Sequence, residues 1–215
     1  MIGRIAIEFL KRGGKRLRPR LCMAAYRKVA GDSAPEGSLD DLCEAVECFH
    51  KASLIHDDIQ DGDEERYGRP TVWKEHGLPL AIAAGDWLVA YGYRLIANSG
   101  FPNALAMMKA TVESHVELCE GQGDDLAGVG GYRSVCERKT GTAFALAASL
   151  GALAAGAEMS PYRAYGMAFG LLFQVRDDLA DGDLVAEAKA HAAAAEAEFA
   201  AAEAQVGLGE WYRGS

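Results

Sequence analysis

The pattern of apolar and polar positions along the 215 residues is typical of helices. Few stretches alternate between apolar and polar residues as a strand would, whereas combinations that begin and end helices recur. The chain is therefore predicted to be all-α. The predicted helices cover residues 17–30, 38 to about 61, 79–98, 102 to about 120, 132–156, 160–181 and 184–205. Residues 62–71 and 121–131 are predicted to be loops.

Individual residues mark several of these boundaries. Pro19 suits the first turn of a helix, and Gly31 suits its end. Ser38, followed three residues later by Asp41, is typical of a capping box at a helix start. The tail consists mostly of Ala and Glu, which favour a helix but offer little apolar surface to bury.

Two apolar stretches bear on membrane association and assembly. Residues 143–157 are rich in Ala and Gly and too short to span a bilayer, so a buried helix is predicted without stable membrane insertion. The helix at 78–97 is more apolar than one core-facing side requires. The N-terminus lacks the apolar core and cleavage site of a signal peptide.

Composition and charge narrow the class of function. Half the residues are hydrophobic and a quarter are charged, as in a soluble globular domain, and 215 residues suit one domain. The net charge of −9 argues against general nucleic-acid binding. Five cysteines, with no CxxC pair, predict reduced thiols in a cytoplasmic protein. They are Cys22, Cys43, Cys48, Cys119 and Cys136.

The strongest candidate chemistry is a repeated acidic motif. In "SLIHDDIQDGD" (53–63), Asp57 and Asp61 are four residues apart and therefore share a helical face. "FQVRDDLADGD" (173–183) repeats this spacing with Asp177 and Asp181, again after an apolar helix. Two acidic helix ends facing each other across a cavity can hold magnesium ions that share their ligands with a diphosphate. Two unrelated surface caps are the alternative.

Basic residues suggest where the anion binds. "GGKRLRP" (13–19) places Lys15 and Arg18 three apart, on one side of a helix start. Arg66 and Lys139 are further candidates. His50 lies seven residues before Asp57 and so returns to nearly the same helical face.

Taken in order, these motifs resemble those of the trans-isoprenyl diphosphate synthases, the polyprenyl synthetase family. The resemblance runs from Gly13 to Asp183. It rests on "GGKRLRP", "FHKASLIHDDIQD", Arg66, "GQGDDL", "ERKTG" and "FQVRDDLAD". The fold it implies is an isoprenoid-synthase helical bundle around a central cavity. Residues 1–215 would form one such domain, with 183–215 an atypical, shortened C-terminal part.

The resemblance also implies an activity and its ligands. The family condenses isopentenyl diphosphate head-to-tail with an allylic diphosphate, using magnesium, here three ions with substrate bound. The implied product is short, such as geranylgeranyl or farnesyl diphosphate, and the implied assembly is a homodimer.

Roles carry over to matching positions. Asp57, Asp61 and Asp177 would ligate magnesium, with Asp58, Asp178 and Asp181 completing or supporting the shell. Arg66 and Lys139 would bind the allylic diphosphate. Lys15, Arg18 and His50 would bind isopentenyl diphosphate. Thr140, Gln174 and the carbonyl near Lys139 would lie beside the carbocation, and Gln122 and Asp125 would play a supporting role.

Product length is predicted from the helix that precedes the first aspartates. Ala52 and Ser53 are small and leave space one turn below Asp57. Phe49, two turns below, is bulky enough to form a floor. A chain of fifteen to twenty carbons fits that depth.

Two departures keep other functions open. Tyr67 stands where the family usually has a second arginine, so the isopentenyl diphosphate site is expected to be weakened, with Arg69 a possible compensation. The lysine-bearing lid loop expected after Asp183 is replaced by an alanine-rich helix. The alternatives are a class I terpene cyclase, favoured by Tyr67, and a non-catalytic subunit of a heteromeric synthase, favoured by the missing lid lysine.

Overall fold

The computed structural model describes residues 1–31, 37–182 and 184–212. Those residues form ten α-helices, one π-helical turn and one two-stranded hairpin. The helices are α1 (Ile2–Leu10), α2 (Leu17–Ala30), α3 (Leu39–Asp61), α4 (Val72–His76), α5 (Leu78–Ala97), α6 (Ala104–Leu126), α7 (Tyr132–Cys136), α8 (Thr142–Ala154), α9 (Ser160–Asp181) and α10 (Val185–Val206). The π-helix covers Glu137–Gly141, and the strands are β1 (Glu65–Arg66) and β2 (Arg69–Pro70).

The all-α prediction is confirmed, and several predicted boundaries agree with the structure to within one residue. Helices α2, α3 and α9 each end at a glycine, at Gly31, Gly62 and Gly182. The Ser38 hydroxyl accepts a hydrogen bond from the backbone N–H of Asp41 at 3.1 Å, as expected of an N-cap. Within the described residues, no helix has the length and apolar composition needed to cross a membrane.

Several predictions of local structure differ from the structure. Helices α1 and α4 were not predicted, and the helix predicted at 132–156 is divided into α7, the π-helix and α8. The predicted loop at 62–71 contains the β1–β2 hairpin, in which Arg66 pairs with Arg69. The predicted break at residue 121 is also absent, because α6 continues to Leu126. Arg138 donates to Glu120 and Asp124 on this last part of α6, and these ion pairs offset the low helix propensity of its glycines.

The alanine-rich tail buries more than its sequence suggested. Helix α10 packs along α9 and buries Ala188, Ala195 and Val206. Its partly buried Phe199 meets the Phe169 ring of α9 with the centroids 5.6 Å apart. The small alanine side chains let the two helices approach closely, so the tail contributes to the core.

The core is divided among three clusters of buried residues. The largest joins α2, α3, α8 and α9, and a second joins α1, α3 and α5. The third lies where α7, α9 and α10 meet. Helix α3 contributes to the first two clusters, and the second cluster, through Ile55 and the partly buried Ile59, reaches the turns that carry Asp57 and Asp61.

A glycine sets the distance between α9 and the π-helix. A Cβ added at Gly170 would lie 2.7 Å from the Cα of Gly141 and 2.9 Å from the carbonyl oxygen of Thr140. Any larger residue would therefore push the two elements apart. This contact fixes α9 against the segment that carries Lys139 and Thr140.

The contact between α2 and α8 gives a test of this packing. A Cβ at Gly151 would collide with the carbonyl oxygen of Cys22 and lie 3.0 Å from the Cβ of Ala25. Gly151→Ala should therefore lower the free energy of unfolding by about 1–3 kcal/mol, as overpacking does. Gly123→Ala is the matched control, because nothing lies within 4 Å of that added Cβ in α6.

The control should raise the free energy of unfolding by about 0.5–1 kcal/mol, the helix-propensity gain from Gly to Ala. Urea denaturation followed by circular dichroism measures both values. Equal changes in the two variants would contradict the packing described at Gly151.

Candidate active site

The first aspartate motif occupies the last turn of α3. Asp57 is half-buried and Asp61 is exposed. Burial raises the pKa of Asp57, the nearby Lys139 lowers it, and Asp61 raises it further. Negative charge is therefore concentrated and partly desolvated at this helix end, which is the condition that a bound cation relieves.

Asp58 points differently from its neighbours and orients Arg66. Asp58 is fully buried, and its Oδ1 accepts a hydrogen bond from Arg66 Nε at 2.5 Å. Its other oxygen, Oδ2, has no hydrogen-bond partner among the described residues. Asp63 adds a longer contact of 3.6 Å to the Arg66 guanidinium. Arg66 is thus held beside the first motif by the hairpin and by α3.

The second motif ends α9, and its middle aspartate is fully engaged. Tyr132 donates its hydroxyl proton to Asp178 Oδ2 at 2.6 Å, and Gln174 Nε2 donates to Asp178 Oδ1 at 2.8 Å. The Thr140 hydroxyl donates to Gln174 Oε1 at 2.8 Å. Asp178 is therefore the centre of a hydrogen-bond network that joins α7, the π-helix and α9.

The outer aspartates of this motif remain available. Asp177 and Asp181 are exposed. Burial raises the pKa of Asp177, and the charges of Asp181 and Asp178 raise it further, whereas Lys15 lowers it. The second helix end therefore repeats the electrostatic situation of the first.

The π-helix joins the two motifs. Lys139 Nζ donates to Asp125 of α6 at 2.5 Å, and its charge also acts on Asp57. The next residue, Thr140, reaches α9 through Gln174. A π-helical turn widens the helix and often occurs at functional sites. Here it directs two consecutive side chains towards the two acidic helix ends.

The "GQGDDL" motif supports this arrangement from α6. Asp125 holds Lys139, and Gln122 Nε2 donates to Gln60 Oε1 on the last turn of α3 at 2.7 Å. Both side chains therefore contact residues close to the acidic motifs, and their supporting role stays a prediction.

A cluster of basic groups lies beside the first motif. Burial lowers the pKa of His50 well below its usual value, and the charges of Arg18, Lys51 and Arg66 lower it further. His50 is consequently neutral at physiological pH. Three cations from α2, α3 and the hairpin therefore lie near a neutral imidazole, and their combined charge favours an anion there, although Lys51 itself is buried.

Lys15 and Arg18 were predicted to lie on one side of a helix start, and this prediction was wrong. Lys15 is exposed and precedes α2, because Arg16 adopts a left-handed conformation with φ 49°. Arg18 lies within α2 with its guanidinium carbon 4.5 Å from the centroid of the Phe144 ring. Burial lowers the pKa of Arg18 to about 10, so it stays charged, and its Nε lacks a hydrogen-bond partner among the described residues.

The carboxylates fit a magnesium ion that is shared with a ligand. In the residues that the structure describes, no three His, Cys, Asp or Glu side chains lie close enough to hold an ion alone. Magnesium commonly takes one or two carboxylates and completes its shell with water and phosphate oxygens. Asp57, Asp61, Asp177 and Asp181 offer such incomplete carboxylate sets at the two helix ends.

The residues predicted to control product length lie on different faces of α3. Ser53 is exposed and lies one turn from Asp57 on the same face. Phe49 is buried, with its ring edge-on to His115 at a centroid distance of 4.4 Å. Ala52 is buried in the cluster with α1 and α5. Its role in product length, like those of Ser53 and Phe49, stays a prediction.

Sequence reasoning missed two residues. Tyr132 bonds Asp178 from a different helix, and no sequence motif marks it. Lys51 was overlooked although it follows His50 directly. The available sequence signal was that no acidic residue lies three or four positions after Lys51.

The chain is similar to known proteins along most of its length. The family model for polyprenyl synthetase matches residues 1–192. A geranylgeranyl pyrophosphate synthase from Geoglobus acetivorans is 35% identical over an alignment 192 residues long, which covers 83% of this chain and 59% of the relative. A geranylfarnesyl diphosphate synthase from Aeropyrum pernix is 35% identical over 81% of this chain and 59% of its own length. The chain thus spans under two thirds of the length of these relatives.

Solved structures show the same fold. An isoprenoid synthase family member from Thermotoga neapolitana superposes with a TM-score of 0.85 and 28% sequence identity. That match covers 98% of this chain and 88% of the other. The motifs, the fold and the family match agree: the chain belongs to the polyprenyl synthetase family.

Proposed function

We propose that this protein is a magnesium-dependent trans-prenyltransferase that joins isopentenyl diphosphate head-to-tail to an allylic diphosphate. Its product would be short, such as geranylgeranyl or farnesyl diphosphate, and the whole chain would act as one helical domain. The observation that carries the proposal is the link between the two acidic helix ends. The nearby charge of Lys139 lowers the pKa of Asp57. The next residue, Thr140, donates a hydrogen bond to Gln174, which in turn donates to Asp178. The names of the relatives point to the same reaction class.

Departure of the allylic diphosphate requires neutralisation of its charge. Magnesium held by Asp57, Asp61, Asp177 and Asp181 would supply positive charge there. Arg66 and Lys139 would donate hydrogen bonds to the same diphosphate, and both are already held in place by acidic neighbours. Preorganised donors of this kind stabilise charge that develops in the transition state.

The second substrate would bind beside the first. Lys15, Arg18 and His50 would bind the diphosphate of isopentenyl diphosphate. Arg18 remains charged and His50 remains neutral there, so His50 would donate one hydrogen bond without adding charge.

Carbon–carbon bond formation then follows from the positions of the two substrates. The carbon–oxygen bond of the allylic substrate breaks and its electron pair leaves with the diphosphate. The double bond of isopentenyl diphosphate attacks the allylic cation. The resulting cation loses a proton to the departed diphosphate, and the electron pair of that C–H bond forms the new double bond. The oxygens of Thr140 and Gln174 would stabilise the cation electrostatically, while the apolar helices exclude water.

The aspartate assignment is tested by replacing one carboxylate in each motif. Asp57→Asn and Asp177→Asn should each lower kcat at least about a hundredfold, because each removes charge that holds the metal ions. Glu113→Gln is the control, since Glu113 is an exposed carboxylate on α6 outside both motifs. Turnover is measured with labelled isopentenyl diphosphate, each allylic diphosphate and magnesium.

Parent-like turnover in either motif variant would refute the metal assignment. The products separate the competing functions. Elongated prenyl diphosphates support the prenyltransferase, whereas hydrocarbons formed without isopentenyl diphosphate would identify a terpene cyclase. No turnover by the isolated parent chain would identify a non-catalytic subunit.

Product length is proposed to depend on Ser53, Ala52 and Phe49. By helical rise the small Ser53 and Ala52 lie about one turn before Asp57, and Phe49 lies about 12 Å before it. Phe49→Ala should shift the products to longer chains by removing the floor, and Ser53→Phe should shift them to shorter chains by placing a ring nearer the aspartates. Chromatography of dephosphorylated products measures both shifts. An unchanged distribution in both variants would remove these residues from that role.

A homodimer is proposed from exposed apolar side chains on α6. Leu105, Val112 and Val116 are 70%, 46% and 56% exposed and recur on one helical face. Val112→Asp with Val116→Asp should convert a dimer into a monomer in light scattering, because desolvating two carboxylates at an interface is costly. Val129→Asp, at another exposed valine, should leave the mass unchanged. A monomeric parent protein would refute the proposal.

A further inference from the structure

Lys51 is a buried lysine whose hydrogen bonds all go to uncharged oxygens. Its side chain is 0% exposed. Nζ donates to the carbonyl oxygens of Arg12 and Gly13, the latter at 3.2 Å, and to the Tyr67 hydroxyl oxygen at 3.3 Å. An ammonium has three hydrogens to donate, so all three are used. Lys51 therefore ties α3 to the glycine pair before α2 and to the hairpin.

The positive charge of Lys51 is not neutralised by direct contact with an acid in the described part of the chain. Burial lowers the pKa of Lys51, and Glu47, one turn earlier on α3, raises it without a hydrogen bond between them. Arg16 and Arg66 lower it further. A buried charge without a paired counter-ion is unfavourable, and an anion bound nearby would relieve this.

The Tyr67 hydroxyl contacts the buried ammonium of Lys51. The hydroxyl oxygen accepts from Lys51, so its own hydrogen points elsewhere. Tyr67 is 42% exposed, and its partial burial raises its pKa, so the hydroxyl keeps its proton at neutral pH. Among the described residues that hydrogen is donated to no acceptor, so it is available to a ligand.

The backbone of Tyr67 has an uncommon conformation. Tyr67 has φ 56°, in the left-handed region that a bulky residue rarely adopts. Its ring packs against Gly13, where an added Cβ would lie 2.8 Å from Tyr67 Cγ. Strain of this kind persists where the surroundings impose it, often at ligand sites. At Tyr67 the surroundings that impose this conformation are the glycine pair and Lys51.

We propose that Lys51 and Tyr67 act as one substrate-positioning pair for the diphosphate of isopentenyl diphosphate. This inference rests on the proposed function. Tyr67 donates the hydrogen bond, and Lys51 supplies the positive charge behind it. The site that Tyr67 was expected to weaken therefore keeps its cation, which comes from α3 instead of from residue 67.

The test compares the Michaelis constants of the two substrates. Lys51→Met should raise KM for isopentenyl diphosphate at least about tenfold, because it removes the buried positive charge beside the ligand, and Tyr67→Phe about fivefold, because it removes one hydrogen bond to the diphosphate. KM for the allylic diphosphate should not change, because it binds at the aspartates. Lys11→Met, at an exposed lysine after α1, is the control and should change neither constant.

Moving the positive charge from residue 51 to residue 67 distinguishes substrate positioning by Lys51 from a structural role in holding the glycine pair and the hairpin. Tyr67→Arg alone should not lower KM for isopentenyl diphosphate, since its guanidinium would meet the ammonium of Lys51. In the double variant with Lys51→Met, Tyr67→Arg should bring KM back towards the parent value. A double variant no better than Lys51→Met alone would overturn the inference, as would an unchanged KM in folded Lys51→Met.

Two further measurements keep the inference testable. If Lys51→Met fails to fold by circular dichroism, Tyr67→Phe and the double variant decide between the same outcomes. If the parent protein shows no transfer, the proposed function fails, but calorimetric titration with isopentenyl diphosphate still tests the pair. Weaker binding by Tyr67→Phe and Lys51→Met than by the parent supports the pair, and equal binding refutes it.

Discussion

Repulsion among partly desolvated carboxylates at the ends of α3 and α9 is the constraint on which the rest of the site depends. Burial and like charge raise the pKa of Asp57 and of Asp177. A fold stabilised by packing alone would not place acids together twice in this way. Every cation around them, from Arg66 on the hairpin to Lys139 on the π-helix, moderates that repulsion and leaves the outer carboxylates free for metal ions.

Packing fixes the positions of the two acidic helix ends, on α3 and on α9. Gly170 allows α9 to contact the π-helix, and the network of Thr140, Gln174 and Asp178 fixes their rotation. Helix α3 is held between two hydrophobic clusters. The acidic ends therefore sit on rigid elements, whereas the basic groups come from the glycine pair, the hairpin and α2. This division suits chemistry in which metal ions and two anions assemble at one place.

Local features of the sequence predicted the helices and the acidic motifs because these depend on short-range spacing. Ser38 and Gly31 mark helix ends by capping, and Asp57 and Asp61 share a face by helical period. The contribution of Tyr132 could not be predicted in this way, since it reaches Asp178 from another helix. The course of α6 through its glycines depends on ion pairs with Arg138, and the positive site near Tyr67 depends on a lysine from α3. Each of these is a tertiary contact between residues distant in sequence.

The most direct test of the account is anomalous X-ray diffraction from crystals grown with manganese in place of magnesium and with inorganic diphosphate. The account predicts manganese within coordination distance of Asp57 and of Asp177, with the diphosphate bridging the two sets of ions near Arg66 and Lys139. Manganese at only one of the two helix ends, or diphosphate bound away from both, would contradict it.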